Sequence, residues 1–167
     1  MTLQSSGSIS IAQMRNEFGL GAGQISMNQF YGKPGLPTTG QISFSGFYGK
    51  SNYIDTQSIT VGSYVSAPYT IYGYQKSMCG SISDGVSDIF SREIIQIRWI
   101  NLTGQLLFTL ASIATNSGFS KMVVGSTSFD RTAASYSTSG SMSTWTWGAP
   151  SNPFSAVGSV TSVGFTA

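Results

Sequence analysis

The chain has 167 residues, room for one ordinary domain plus an appendage or for two small units. Charged residues make up only 8% of it, against the ~25% typical of soluble domains; serine, threonine and glycine supply the polarity. The net charge is +2, and Arg15, Lys33, Lys50, Lys76, Arg92, Arg98, Lys121 and Arg131 are scattered, which leaves no electrostatic footprint for nucleic acid. The chain has no histidine, which removes the usual general base, the Ser-His-Asp triad and the Cys-His dyad. A single cysteine, Cys79, excludes an internal disulfide and a zinc site. No apolar run approaches the ~18 residues of a membrane helix. No cofactor, metal or catalytic group is expected.

Residues 1–7 are Ser-rich and lack a basic head and an apolar stretch, so no secretion signal is read there. A repeated phrase follows. Gly23-Gln24-Ile25-Ser26-Met27-Asn28-Gln29-Phe30-Tyr31-Gly32-Lys33 returns as Gly40-Gln41-Ile42-Ser43-Phe44-Ser45-Gly46-Phe47-Tyr48-Gly49-Lys50, and a longer version runs from Gly7 through Ile9, Ser10, Met14 and Phe18 to Gly19. In each copy a serine stands where a helix N-cap belongs, an aromatic follows, and a glycine closes the turn. Gln13 and Gln29 sit three residues after Ser10 and Ser26, the spacing of a capping box, and Gly46 breaks it in the third copy. Residues 11–18 predict a helix of about two turns, and residues 26–31 and 43–48 about one turn each. Such pieces are too short to persist alone.

Residues 1–50 thus carry Ile9, Met14, Phe18, Ile25, Phe30, Tyr31, Ile42, Phe47 and Tyr48 on elements too small to bury them. They either fold back on the rest of the chain as extra core or dock into a partner or symmetry mate, ordering on assembly. The second reading is favoured, with these nine residues as the anchoring set.

After a linker at 51–57 the texture turns to β. Strands are expected at 58–63, 69–74, 93–100, 106–111, 121–124, 127–130, 143–147 and 158–165. Residues 93–100 (EIIQIRWI) look like a central strand with Ile95, Ile97 and Trp99 on one face. Asn101 to Gly104 turns into the next strand, whose inner face is Leu106, Phe108 and Leu110. Short strands at this spacing imply an antiparallel β-sandwich over 58–167, a mainly β fold preceded by short capped helical-turn repeats.

Few residues here suggest chemistry. Asp84 and Asp88 lie in a Ser/Asp/Gly stretch that reads either as a turn or as a carboxylate pair for glycoside hydrolysis or calcium. Trp145, Trp147, Tyr136 and Tyr72 read either as core or as an aromatic platform for sugar rings. Cys79 reads as a packing residue.

The Gly-x-Ile-Ser…Phe-Tyr-Gly phrase resembles short N-terminal repeats of virion structural proteins of tailed bacteriophages. The C-terminal stretch is similar to a module of phage tail-fibre and other virion proteins, through Ile82–Phe90, Asn116-Ser117-Gly118-Phe119, Phe129-Asp130-Arg131-Thr132 and Trp145-Thr146-Trp147. The resemblance implies a non-enzymatic component of the virion, made in the host cytoplasm. It would belong to tail, baseplate or fibre, or else decorate or cement the capsid. Its partners would be other virion proteins and copies of itself, and a host surface glycan if the sandwich binds a receptor. From the scattered charge and the lack of a long apolar run, no nucleic-acid partner and no membrane insertion are expected.

Overall fold

The structure, a computed structural model, describes residues 3–21, 23–49 and 53–167. Lys50, which ends the third repeat, and residues 51 and 52 of the expected linker lie outside them. Contacts divide the chain into two compact units, Met1–Ile54 with Ala167, and Asp55–Thr166.

In the first unit the expected capped turns are present. Helix α1 spans Ile11–Glu17, capped by Ser10 and ended at Phe18, and two single 3₁₀ turns span Met27–Phe30 and Phe44–Phe47. The first copy is α-helical because three extra residues between its serine and its closing glycine give it a second turn, ending at Phe18.

The second unit is an antiparallel β-sandwich, with twelve strands described along the chain. These are β1 Tyr53–Thr60, β2 Gly62–Ser66, β3 Tyr69–Gln75, β4 Ser81–Ile82, β5 Val86–Ser87, β6 Arg92–Ile100, β7 Gln105–Ala111, β8 Lys121–Val124, β9 Thr127–Asp130, β10 Ser135–Ser139, β11 Met142–Gly148 and β12 Val160–Thr166. One sheet runs β4-β1-β12-β8-β9; the other runs β10-β11-β7-β6-β3-β2, with β5 paired to one end of β6. Their inner faces meet through rings: Phe108 on β7 lies 5.0 Å from Phe165 on β12, and Phe129 on β9 lies 6.2 Å from Trp147 on β11. Leu106, Phe108 and Leu110 are buried in this core, as their alternation predicts.

Three expectations need correction. Residues 53–57 are strand rather than linker, because β1 buries Asp55, Gln57 and Ile59 at alternate positions and two of those three are polar. The expected strand at 58–63 divides at Val61 into the end of β1 and the start of β2. In β6 the register shifts between Ile94 and Gln96, so the core face carries Ile94, Ile97 and Trp99 and not Ile95. A bulge adds one residue, and every side chain before it changes face.

Candidate functional site

The repeats build their shape from two glycines and a serine. The opening glycine of each copy has positive φ (+92° at Gly7, +134° at Gly23, +93° at Gly40), and so has the closing one (+64° at Gly19, +73° at Gly32, +67° at Gly49). Glycine enters that region without steric cost, so the turns at both ends of every copy require it. The serine between them is extended each time, φ −95° at Ser10 and −114° at Ser26 and Ser43. Ser10 Oγ accepts from the Gln13 N–H at 3.1 Å, while Gln13 Oε1 accepts from the Ser10 N–H at 2.7 Å. Gln29 reaches back to the Ser26 N–H at 3.3 Å. With Gly46 in place of the glutamine, the third copy has a Ser43–Ser45 hydroxyl pair at 2.8 Å instead.

What the capped turns carry is a shared core. Phe18, Phe30 and Phe47, one ring from each copy, meet pairwise edge to face. The centroids are 5.8, 6.1 and 4.9 Å apart and the interplanar angles are 81°, 73° and 82°. This geometry sets the positive edge of one ring on the negative face of the next. Met14 and Leu3 complete the cluster, and Ile9, Ile25 and Ile42, the residues before the three capping serines, pack half-buried against it. The tyrosines close the circle: Tyr31 Oη donates to the Gly40 carbonyl and Tyr48 Oη to the Gly7 carbonyl, each reaching the opening glycine of another copy.

This changes the anchoring set. Met14, Phe18, Phe30 and Phe47 are at most 1% exposed and so are not knobs for a partner's pocket. Each copy alone is too small to bury its aromatic, but three copies supply one another's walls. Among the described residues, the large apolar side chains left in solvent stand at the first helical position of copies one and three, Ile11 at 49% and Phe44 at 48% exposure, with Tyr48 next at 37%.

In the sandwich, Trp145 and Trp147 are buried, and each indole N–H is bound internally: Trp145 Nε1 to Asn116 Oδ1 at 2.8 Å, Trp147 Nε1 to the Asp130 carbonyl at 2.7 Å. They are core and cannot serve as a surface platform. Tyr136 is half-buried, its hydroxyl donating to the Ala114 carbonyl, and half-buried Tyr72 leans on Trp99 at 5.9 Å. The structure does not bring these aromatics onto one open face. Asp84 and Asp88 have exposed side chains; Asp88 contributes its backbone N–H, which donates to Asp55 Oδ2 at 2.9 Å. The buried carboxylate is Asp55, which also accepts from Ser87 Oγ at 2.7 Å and from Gln57 Nε2 at 3.0 Å. Asp55 and Gln57 therefore fasten β5 and its loop to β1. Among the described residues no group of three or more His, Cys, Asp or Glu is placed to hold a metal.

The four short C-terminal phrases meet in space. Asn116 Oδ1 accepts from Trp145 Nε1 and from Arg131 Nη1, and Arg131 also donates to the Asn116 and Phe119 carbonyls at 2.7 and 2.6 Å. Phe90 lies 5.5 Å from Trp145 and 6.3 Å from Phe119. A side chain at Gly118 would stand 2.8 Å from Ile89. These residues hold the loop 112–120 on the sandwich.

One concave site lies elsewhere, on the face of the larger sheet that points away from the core. Register sets it: Tyr64 on β2, Ile71 on β3, Ile100 on β6 and Gln105 on β7 are successive partners in one row across four strands. With Arg98 they line a half-open groove of about 340 Å³. Arg98 was legible only as one of eight scattered cations; the row that surrounds it follows from strand pairing. No family model, no curated protein and no solved structure matches this chain.

Proposed function

We propose that this chain is a structural, non-enzymatic component of a tailed-bacteriophage particle. The repeat unit is its attachment module and the sandwich its displayed domain, in tail, baseplate or fibre, with capsid decoration as the other placement. The Gly-x-Ile-Ser…Phe-Tyr-Gly resemblance supports this reading. The observation that carries it is the self-closed repeat unit, which buries its three phenylalanines and still leaves Ile11 and Phe44 half exposed. Burying such a side chain against a partner contributes about 1.5–3 kcal/mol, and repetition over many copies in a particle multiplies it. Attachment then uses a rigid preformed surface, so little ordering entropy opposes it.

The test is incorporation of the full chain carrying Ile11→Ser and Phe44→Ser into particles assembled without the wild-type protein. Loss of the protein from purified particles, with the variant still folded by circular dichroism, is the expected result. Wild-type incorporation would remove the attachment reading. Cryo-electron microscopy of the particle gives the placement.

A further inference from the structure

We infer that the groove over Arg98 is a binding site for a carboxylate-bearing sugar, a uronic-acid type of monosaccharide unit. Arg98 stands in the middle of β6 on the outer face, and its side chain is held rather than free. Nη1 donates to Tyr64 Oη at 2.9 Å and to Gln75 Oε1 at 2.7 Å, and Tyr64 Oη itself donates to Gln75 Oε1 at 2.8 Å. Both hydrogens of Nη1 are thereby used. Nε is shielded from solvent and has no acceptor, a costly state for a guanidinium donor. The ion pairs among the described residues are Lys76–Glu93 and Lys121–Asp130, so none of them neutralises Arg98. Nη1 is thus fixed while Nη2 has no partner among the described residues, so the guanidinium offers a preorganised charged donor to one oxygen of an anion.

The rest of the groove selects the body attached to that anion. Tyr64 and Tyr69 offer ring faces, Ile71 and Ile100 an apolar floor, and Ser66, Thr103 and Gln105 neutral donors and acceptors at the rim. Sugar rings present this combination, C–H faces bordered by hydroxyls. Among the described residues of the lining Arg98 is the one cation, which suits a monoanionic carboxylate better than a phosphate dianion. β3, β6 and β7 have paired strands on both sides, so an added peptide strand could bond only along the β2 edge and not over the groove floor.

The test is independent of particle attachment, because it reads binding by the isolated full chain. Sodium glucuronate, glucose and sodium phosphate are titrated separately at constant ionic strength into ¹⁵N-labelled protein, and the amide shifts of residues 62–75 and 96–106 are followed. Glucuronate is expected to saturate with a Kd on the order of 1 mM, with glucose at least ~10-fold weaker and phosphate producing no saturable change. Arg98→Lys, which keeps the charge and loses the planar group that Tyr64 and Gln75 hold in place, should weaken glucuronate ~10-fold. Tyr69→Ala, an exposed change that leaves Arg98 and its partners in place, should weaken glucuronate and glucose alike. Absence of saturable shifts with glucuronate, equal response to phosphate, or undiminished binding by Arg98→Lys would each overturn the assignment.

Discussion

Replacing Phe30 with alanine tests whether the three repeats are one cooperative body. The ring is 1% exposed and has two edge-to-face partners, Phe18 at 5.8 Å and Phe47 at 4.9 Å. A buried Phe→Ala change costs about 3–5 kcal/mol in lost transfer energy and cavity. At ~0.05–0.15 kcal/mol per residue, a unit of this length holds only about 3–8 kcal/mol. One truncation should therefore abolish most or all of its stability. Hydrogen exchange on the full chain reads the result at amides bonded within each copy: Phe18 to Met14 O at 3.0 Å, Gln29 to Ser26 O at 3.1 Å, Gly46 to Ser43 O at 3.0 Å. All three should lose protection together while the β6–β7 ladder keeps its own. Phe30→Leu, which retains apolar volume and loses ring edges, should cost only about 1–2 kcal/mol. If Phe30→Ala strips protection near residue 30 and leaves Phe18 and Gly46 unchanged, the copies are independent and the shared-core account fails.

Gly46→Gln should stabilise the repeat unit by about 0.5–1.5 kcal/mol, because φ there is not positive, the nearest atom to a new Cβ is Ser43 Oγ at 4.0 Å, and the glutamine restores the missing capping box; a lower melting temperature for the repeat unit would refute it. Asp55→Asn should destabilise the sandwich by about 1–3 kcal/mol, since the amide cannot accept all the bonds from Ser87 Oγ, the Asp88 N–H and Gln57. Thermal unfolding checks this, and an unchanged melting temperature would show the network to be dispensable. Cys79 has its thiol pushed above its ordinary pKa, chiefly by burial, with Sγ 3.9 Å from the Gly73 carbonyl. Less thiolate is then present at pH 8, so iodoacetamide should react more slowly with folded than with urea-unfolded protein, and equal rates would contradict this.

How much of this could be read from the sequence depended on whether the signal was local. Strands β8 and β9 match their expected ends because Met122, Val124 and Phe129 sit at core positions in short segments bounded by turns. The capped turns of the repeat were legible for the same reason. Strand β1 hid its first half because Asp55 and Gln57 occupy inward positions usually held by apolar residues, and their partners lie some 30 residues away on β5. Strand β10, Ser135–Ser139, has a single aromatic and otherwise only Ser and Thr, so its pairing with β11 defines it more than its own pattern does. The β6 bulge left no mark in a run where both alternations were apolar. The destination of Phe18, Phe30 and Phe47 was the largest gap. Taken singly, each short turn is too small to bury its ring, and only contacts between copies supply the missing walls.

The same contacts explain why the three copies differ. Counted from the capping serine, the residue on the inward turn is Met14 in the first copy and phenylalanine, Phe30 or Phe47, in the others. With methionine there, two rings would meet and not three; the extra helical turn supplies Phe18 and completes the trio. That turn ends in Gly19, where the other copies have Tyr31 and Tyr48, so the first copy has no tyrosine to bond the next opening glycine. Its junction is the one at which the chain itself is shortest, Leu20-Gly21-Ala22. The second and third copies are separated by the longer Lys33 to Thr39, and the third and first have no direct covalent link. Tyrosine bonds thus occur at the two junctions that the chain holds least. Tyr48→Phe should accordingly loosen the meeting of the third copy with the first, where the Gly49 N–H also donates to the Gln4 carbonyl at 3.1 Å. A net loss of about 1 kcal/mol should appear as faster exchange at Gly49, with Gly32 unaffected. Tyr31→Phe should show the converse. If both substitutions loosen the same amides, the tyrosines do not act at separate junctions and the order of the copies around the core needs another cause.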